Sequence, residues 1–227
     1  MRNGSLSYER FCVEAGLLQR RSHEVASKQD VGSDGCVATW QWRHGNRQHL
    51  DGDSYLVSTG NVRQYCSSVD NEGVEIDKAL DDIDEVLQGK WLNTDEDQVT
   101  TEQFQDTKTA LLELHIVYHT IYQTPVLYFR AYAVDGTPLP ASTVMHDVQL
   151  PGSNDRSTFV AMEEHPVLGK PFSFLHPCET AGAMQLLQEQ LQPTRDLSEL
   201  QVPQYLASWL SFVQPLTGIS PIDYYSV

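Results

Sequence analysis

Between Leu111 and Val134 the chain carries two apolar runs, Leu-Leu-Glu-Leu-His-Ile-Val-Tyr-His-Thr-Ile-Tyr and Val-Leu-Tyr-Phe-Arg-Ala-Tyr-Ala-Val, separated only by Gln123-Thr124-Pro125. β-Branched and aromatic residues at this density suit a pleated surface, and Pro125 has no N–H to give to a ladder. The stretch therefore predicts two long strands joined by a tight turn at 123–125. Asp135-Gly136-Thr137-Pro138 ends the second strand.

The rest of the chain is arranged around that hairpin. From Ser7 to about Ala26, Phe11, Ala15, Leu18 and Val25 recur at the spacing of one helical face. Beyond the turn Gly32-Ser33-Asp34-Gly35, the segments Cys36 to Arg43 and Tyr55 to Tyr65 are rich in Val, Thr, Trp and Tyr and read as strands of a meander. A short element at Ser142 to Val148 and the polar loop Pro151 to Asp155 follow the hairpin. Helices are expected at Thr180 to Leu191 and Pro203 to Val213, the second stopped before Pro215. Strands in the middle with helices at both ends make an α+β fold, an antiparallel β-meander flanked by N- and C-terminal helices.

The 227 residues suit one domain, 1–227, with an insertion. The insertion is the acidic stretch 70–106, where Asp81, Asp82, Asp84, Glu85, Asp95, Glu96 and Asp97 face only Lys78 and Lys90. Such a segment repels itself and belongs at the surface, either as a solvated loop or as a dock for a basic partner. A formal net charge of −16 argues against nucleic acid or an anionic membrane as partner, since both require clustered Lys and Arg. No apolar run reaches the length of a signal peptide or a membrane span, so a cytoplasmic protein without membrane insertion is expected.

The four cysteines, Cys12, Cys36, Cys66 and Cys178, stand singly, without metal-ligand spacing or a disulfide framework. His115 and His119 would share a metal on a helix, but on a strand residues four apart are separated by about 13 Å. They read as sheet-face histidines, and neither a metal nor a cofactor is expected. Tyr118, Tyr122, Tyr128 and Tyr132 alternate along the hairpin, which suggests a common face, either packed under a helix or offered to a protein partner.

Chemistry concentrates at Glu163 to Cys178, where His165-Pro166-Val167-Leu168-Gly169-Lys170-Pro171-Phe172-Ser173-Phe174-Leu175-His176-Pro177 precedes the cysteine. Three prolines and a glycine predict an extended, stiff loop rather than a helix or a central strand, ending in a reachable thiol at a helix start. The helix N-terminus and His176 favour the thiolate and adjacent Glu179 opposes it. Taken by themselves, these residues fit a functional thiol and an inert loop cysteine alike.

The run His165 to Phe172 followed by Leu175-His176-Pro177-Cys178 resembles the active-site segment of the autophagy-related protein ten family, the E2-like enzymes of the autophagy conjugation system. Tyr122-Gln123-Thr124-Pro125-Val126-Leu127-Tyr128-Phe129-Arg130-Ala131, with Asp135-Gly136, resembles that family's central hairpin, and Tyr205 to Ser211 its last helix. The resemblance covers roughly the second half of the chain in the right order, which one short motif would not do by chance. Residues 1–110 add a compatible order of helix and strands.

The resemblance implies an E2-like fold and a transferase of autophagosome formation. An E1-like activating enzyme would load a ubiquitin-like modifier onto Cys178 as a thioester, and a lysine of an acceptor protein would then take it as an isopeptide. His176 and Pro177 would support the thioester. Tyr118, Tyr122, Tyr128, Arg130 and Tyr132 of the hairpin are the candidates for docking the acceptor or modifier. Ordinary ubiquitin-conjugating enzymes carry His-Pro-Asn shortly before the cysteine, whereas this chain has His165-Pro166-Val167 at a longer spacing, and valine has no side-chain donor. Oxyanion support then falls to a backbone N–H, to His176 or to another residue; Asn154 is a weak candidate. Two rival readings are a cysteine hydrolase that removes modifiers, with Cys178 as nucleophile, and a non-catalytic E2-like binding module.

Overall fold

The computed structural model describes residues 4–28, 37–47, 50–66, 107–145, 148, 160–190 and 204–224. The acidic stretch 70–106, the loop 151–155 with Asn154, and Cys36 lie outside them. The chain divides into two compact units, Met1–Tyr65 with Thr109–Val227, and Cys66–Lys108. The architecture below is that of the first.

Helix α1 (Tyr8–Lys28) buries Phe11, Ala15, Leu18 and Val25, the stripe its spacing predicts. Glu14 lies on the same face, only 1% exposed. Its carboxylate accepts from Arg10 Nε at 2.8 Å and from the backbone N–H of Leu206 at 2.9 Å. Leu206 is in the first turn of helix α4 (Gln204–Thr217), where N–H groups have no acceptor within the helix, so a buried charge on one helix caps another.

Strands β1 (Gln41–His44), β2 (Ser54–Cys66), β3 (Thr107–His119) and β4 (Thr124–Ala133) lie side by side in chain order. The remaining strands depart from a meander. β5 (Pro138–Leu139) pairs with the end of β4, and β7 (Pro171–Leu175) pairs with its middle, leaving β6 (Val160–Glu164) outermost. A single turn of helix, α2 (Ala141–Val144), lies between β5 and β6, and helix α3 (Thr180–Gln190) follows β7 after a 3₁₀ turn at Pro177–Glu179.

Because side chains alternate along a strand, β3 and β4 feed two different layers. Leu112, Leu114, Ile116 and Tyr118, with Leu127 and Phe129, enter the main core with Phe11, Leu18, Trp40, Leu210 and Trp209. Full burial of each large side chain is worth about 1.5–3 kcal/mol. The opposite face carries a smaller cluster of Tyr55, Val117, Val126, Tyr128, Phe172 and Phe174.

Several expectations need correction. Tyr118 belongs to the main core and Tyr128 to the opposite cluster, so the hairpin tyrosines do not share a face. The first strand is shorter than Cys36 to Arg43. Trp40 gives its N–H to Ser22 Oγ and its carbonyl contacts His23 Nε2, both at 3.0 Å, so its backbone is engaged by α1 rather than by a strand. The hairpin turn lies at residues 120–123 rather than 123–125, with Gln123 at φ 51° and Pro125 inside β4 opposite Tyr118. That is tolerated because β7 reaches only Tyr128 and Phe129, leaving β4 one described long neighbour at Pro125. Residues 163–178 are a loop only in part: the turn 165–170 joins β6 to β7 in a hairpin whose second strand lies between β4 and β6, and 176–178 leave the sheet into the 3₁₀ turn. Pro171 is the first residue of β7, where a missing N–H costs least, and Phe172 and Phe174 supply the alternation that buries it. Finally, α4 continues through Pro215 to Thr217. The guanidinium of Arg63 bonds the carbonyls of Pro215 and Leu216 at 2.9 and 3.1 Å and satisfies the last turn.

Candidate active site around Cys178

Cys178 sits in the 3₁₀ turn between β7 and α3, with its side chain exposed. The segment is bent by Pro177, whose fixed φ suits the first position of a helical turn. His176 stands before it in extended conformation, and its Nδ1 accepts the backbone N–H of Cys178 at 3.2 Å. An imidazole that accepts at Nδ1 carries its neutral-state proton on Nε2, so His176 faces its surroundings as a donor.

The start of α3 is fixed from the opposite end of the sequence. Gly4 (φ 67°) packs so closely that a Cβ there would overlap the carbonyl oxygen of Ala181, while Tyr205 Oη donates to Gly4 O at 2.6 Å. The residues after the cysteine are thus tied to the N-terminal segment and to α4.

The hairpin turn meets the cysteine loop on the other side. Tyr122, 40% exposed, stands edge-on to His176 with ring centroids 5.8 Å apart, and Phe174 lies 5.9 Å from the same ring. His119, at the end of β3, accepts the N–H of Tyr122 at Nδ1 (3.3 Å) and packs on its ring at 4.8 Å. Burial holds His119 below the usual imidazole range; Glu163 opposes that shift and His176 adds to it. Phe174, His176, Tyr122 and His119 therefore form one aromatic group beside the His176-Pro177-Cys178 turn.

The other hairpin candidates are placed differently. Tyr118 is buried and donates to Leu6 O at 2.8 Å. Tyr128 is 3% exposed, its Oη 3.3 Å from Glu163 Oε2, and burial, reinforced by that carboxylate, pushes its phenol upward. Arg130 lies over the Phe172 ring at 3.9 Å and gives two N–H groups to Pro171 O at 3.2 and 2.8 Å. Tyr132 Oη is 3.3 Å from Glu113 Oε2. Of the five, Tyr122 is the one set beside His176.

Sequence reasoning missed a polar chain that runs from the half-buried Glu113 to two buried histidines. His115 and His165, 1% and 0% exposed, are joined Nδ1 to Nε2 at 3.0 Å, and His115 Nε2 reaches Glu113 Oε1 at 3.0 Å. Period-two alternation puts Glu113 and His115 on one face, but nothing local announces a partner 50 residues away.

A central antiparallel sheet flanked by terminal helices, with an exposed cysteine at the entry to a helix, is consistent with the fold of an E2-like conjugating enzyme. The family described as autophagocytosis-associated protein, active-site domain, matches residues 11–224, and the chain belongs to that family. It is similar to the human ubiquitin-like-conjugating enzyme ATG10, 27% identical over 97% of this chain and 91% of the relative. The Arabidopsis thaliana protein of the same name is 35% identical over 47% of this chain and 48% of its own length. Similarity extends to autophagy-related protein 3 of Saccharomyces cerevisiae, 23% identical over 77% of this chain and 66% of that protein. The activity is therefore that of an E2-like enzyme of autophagy, and neither the hydrolase nor the binding-module reading is favoured. Among the described residues no helix is long and apolar enough to cross a membrane.

Proposed function

We propose that Cys178 carries a ubiquitin-like modifier between an E1-like activating enzyme and a lysine of an acceptor protein, in the cytoplasm, during autophagosome formation. The supporting observation is the placement of Cys178: exposed, at the start of a helix, its backbone held by His176. In loading, the Cys178 thiolate attacks the modifier's terminal carbonyl on the E1-like enzyme, and the E1 sulfur leaves as a thiolate. In transfer, the lysine amine attacks the Cys178 thioester, the C–N bond forms, the C–S bond breaks, and the amine proton passes to solvent or a nearby base.

Because Nδ1 of His176 is occupied by Cys178 N–H, its Nε2–H is suited to support the oxyanion and not to take the amine proton. This gives His176 the supporting role that Val167, in place of the asparagine of ordinary conjugating enzymes, cannot supply. Among the docking candidates, exposure favours Tyr122, with Ile121 at the turn tip 84% exposed, over Tyr118 and Tyr128, whose rings the fold has used. Whole-length agreement with the family supports reading 1–227 as one conjugating domain into which 70–106 is inserted. The test is a thioester assay with the E1-like enzyme and modifier. Cys178→Ser should yield an adduct that survives thiol reductant, whereas a reductant-sensitive adduct on that variant would remove Cys178 as the carrier.

A further inference from the structure

The strand that leads to Cys178 has fewer register pairs with β4 than with β6. β7 has two register pairs with β4, Tyr128 with Phe174 and Phe129 with Ser173, and its other neighbour is the outermost strand β6. Its first residue, Pro171, has no N–H to give. Pro171 and Phe172 lie in register with Glu164 and Glu163 of β6, and on the β4 side the start of β7 is held by side chains. Arg130 grips the Pro171 carbonyl with two N–H groups while its guanidinium lies on Phe172. Beside it runs the chain of Glu113, His115 and His165.

The hydrogen-bond directions in that chain have one self-consistent solution. Nδ1 of His165 accepts two backbone N–H groups, those of Val167 and Leu168, both at 3.2 Å, so the proton of its neutral ring is on Nε2. Nε2–H then donates to Nδ1 of His115, which places the His115 proton on Nε2, where it donates to Glu113. Tyr132 Oη completes the carboxylate from the other side. Tyr55 stacks on His115 at 4.8 Å, and Phe172 contacts both imidazoles, so the rings cannot rotate freely. The far end of the chain is the 165–170 turn, closed by His165 N–H to Lys170 O and Gly169 N–H to His165 O, each at 2.8 Å.

We propose that Glu113, His115 and His165 are positioning residues for the transfer step: a one-directional hydrogen-bond chain clamps the turn before β7 and so fixes where that strand presents Cys178. The inference rests on Cys178 being the carrier. Amine attack on a thioester tolerates little displacement, and a shift of about 1 Å at the reacting carbon can cost up to about 100-fold in rate. A clamp acting through β7 needs no contact with the modifier or with the lysine.

The test uses the full chain, loaded by the E1-like enzyme and then chased with free lysine. His115→Phe keeps the ring that stacks on Tyr55 and Phe172 but removes both hydrogen bonds. His115→Gln loses the ring but retains an acceptor for His165 and a donor for Glu113. The expected result is discharge slowed about tenfold in His115→Phe and restored to within about threefold in His115→Gln. Amide exchange at Val167 and Leu168 should be faster in the first variant alone. Discharge by folded His115→Phe at the wild-type rate would overturn the proposal, and so would equal slowing in both variants with exchange at 167–168 unchanged. If His115→Phe does not fold, Glu113→Leu and Glu113→Gln form the same pair at the half-buried end of the chain, and the same two results would overturn the proposal there. Loading is scored first: a wild-type adduct that persists on another residue when Cys178 is replaced means that the carrier reading has failed and the clamp with it. A normal Cys178 adduct with no difference in discharge means that the clamp alone has failed.

Discussion

The backbone N–H of Cys178 donates to the ring of His176 two residues earlier, at 3.2 Å, so the histidine of His-Pro-Cys acts on the cysteine's own main chain. The contact fixes the turn that exposes the thiol and, through the tautomer it selects, makes the free ring nitrogen a donor. His176→Gln can reproduce an acceptor near that N–H and should keep loading within about threefold of wild type, while His176→Ala should slow lysine discharge by about 100-fold, the low end of what the loss of one oriented donor costs. Equal rates for the two variants and wild type would leave His176 without a part in transfer.

Cys178→Ser should accumulate an oxyester that resists thiol reductants, because an alkoxide is a far poorer leaving group than a thiolate. Cys12 and Cys66 are half-buried, and burial pushes the Cys12 thiol upward. Serine at either should leave a reductant-sensitive adduct at the wild-type level, measured by gel shift with and without reductant.

The hairpin tyrosines should separate into two behaviours. Tyr118→Ala and Tyr128→Ala remove rings from two different buried clusters and should each cost about 3–5 kcal/mol of stability. Tyr122→Ala should leave the melting temperature within a degree or two, since an exposed change is usually worth under about 0.5 kcal/mol, yet lower modification of the acceptor. Parallel thermal melts and acceptor assays decide this; an unaltered acceptor rate in Tyr122→Ala would place docking elsewhere.

Acid should loosen the protein from the His165 side. Burial, with His115 and Arg130 adding to it and Glu113 opposing, brings the His165 pKa down to about 3 from an ordinary value of 6.5. A group with a lowered folded-state pKa binds its proton first in the unfolded chain. Its stabilisation is therefore complete above about pH 6.5 and is lost progressively as the pH falls toward 3. Glu113 acts in the same sense further down, its carboxyl held below the usual range chiefly by the bond from His115. The denaturation midpoint should fall between pH 6.5 and 5 in wild type, and less steeply in His165→Gln; identical slopes would contradict this.

The sequence by itself determined the parts whose causes are local. The stripe of Phe11, Ala15, Leu18 and Val25 fixed α1, the β-branched and aromatic runs fixed β3 and β4, and Pro177 before Cys178 marked a thiol at a helix start. These follow from periodicity and backbone stereochemistry, which neighbours in sequence decide. Only the tertiary structure decided the rest. The prolines of 163–178 suggest a loop, but pairing with β4 and burial of Phe172 and Phe174 outweigh local preference and make a strand. Pro215 lies within α4, and the carbonyls of that last turn are taken up by Arg63, far away in sequence. Two tyrosines read as a docking face were taken by two cores, because alternation along β3 and β4 sends neighbouring side chains to opposite layers whose depth depends on what packs above them. The chain from Glu113 through His115 to His165 exists only because the fold brings β3 against the turn before β7. Buried imidazoles need partners, and those partners are chosen by proximity in space rather than along the chain.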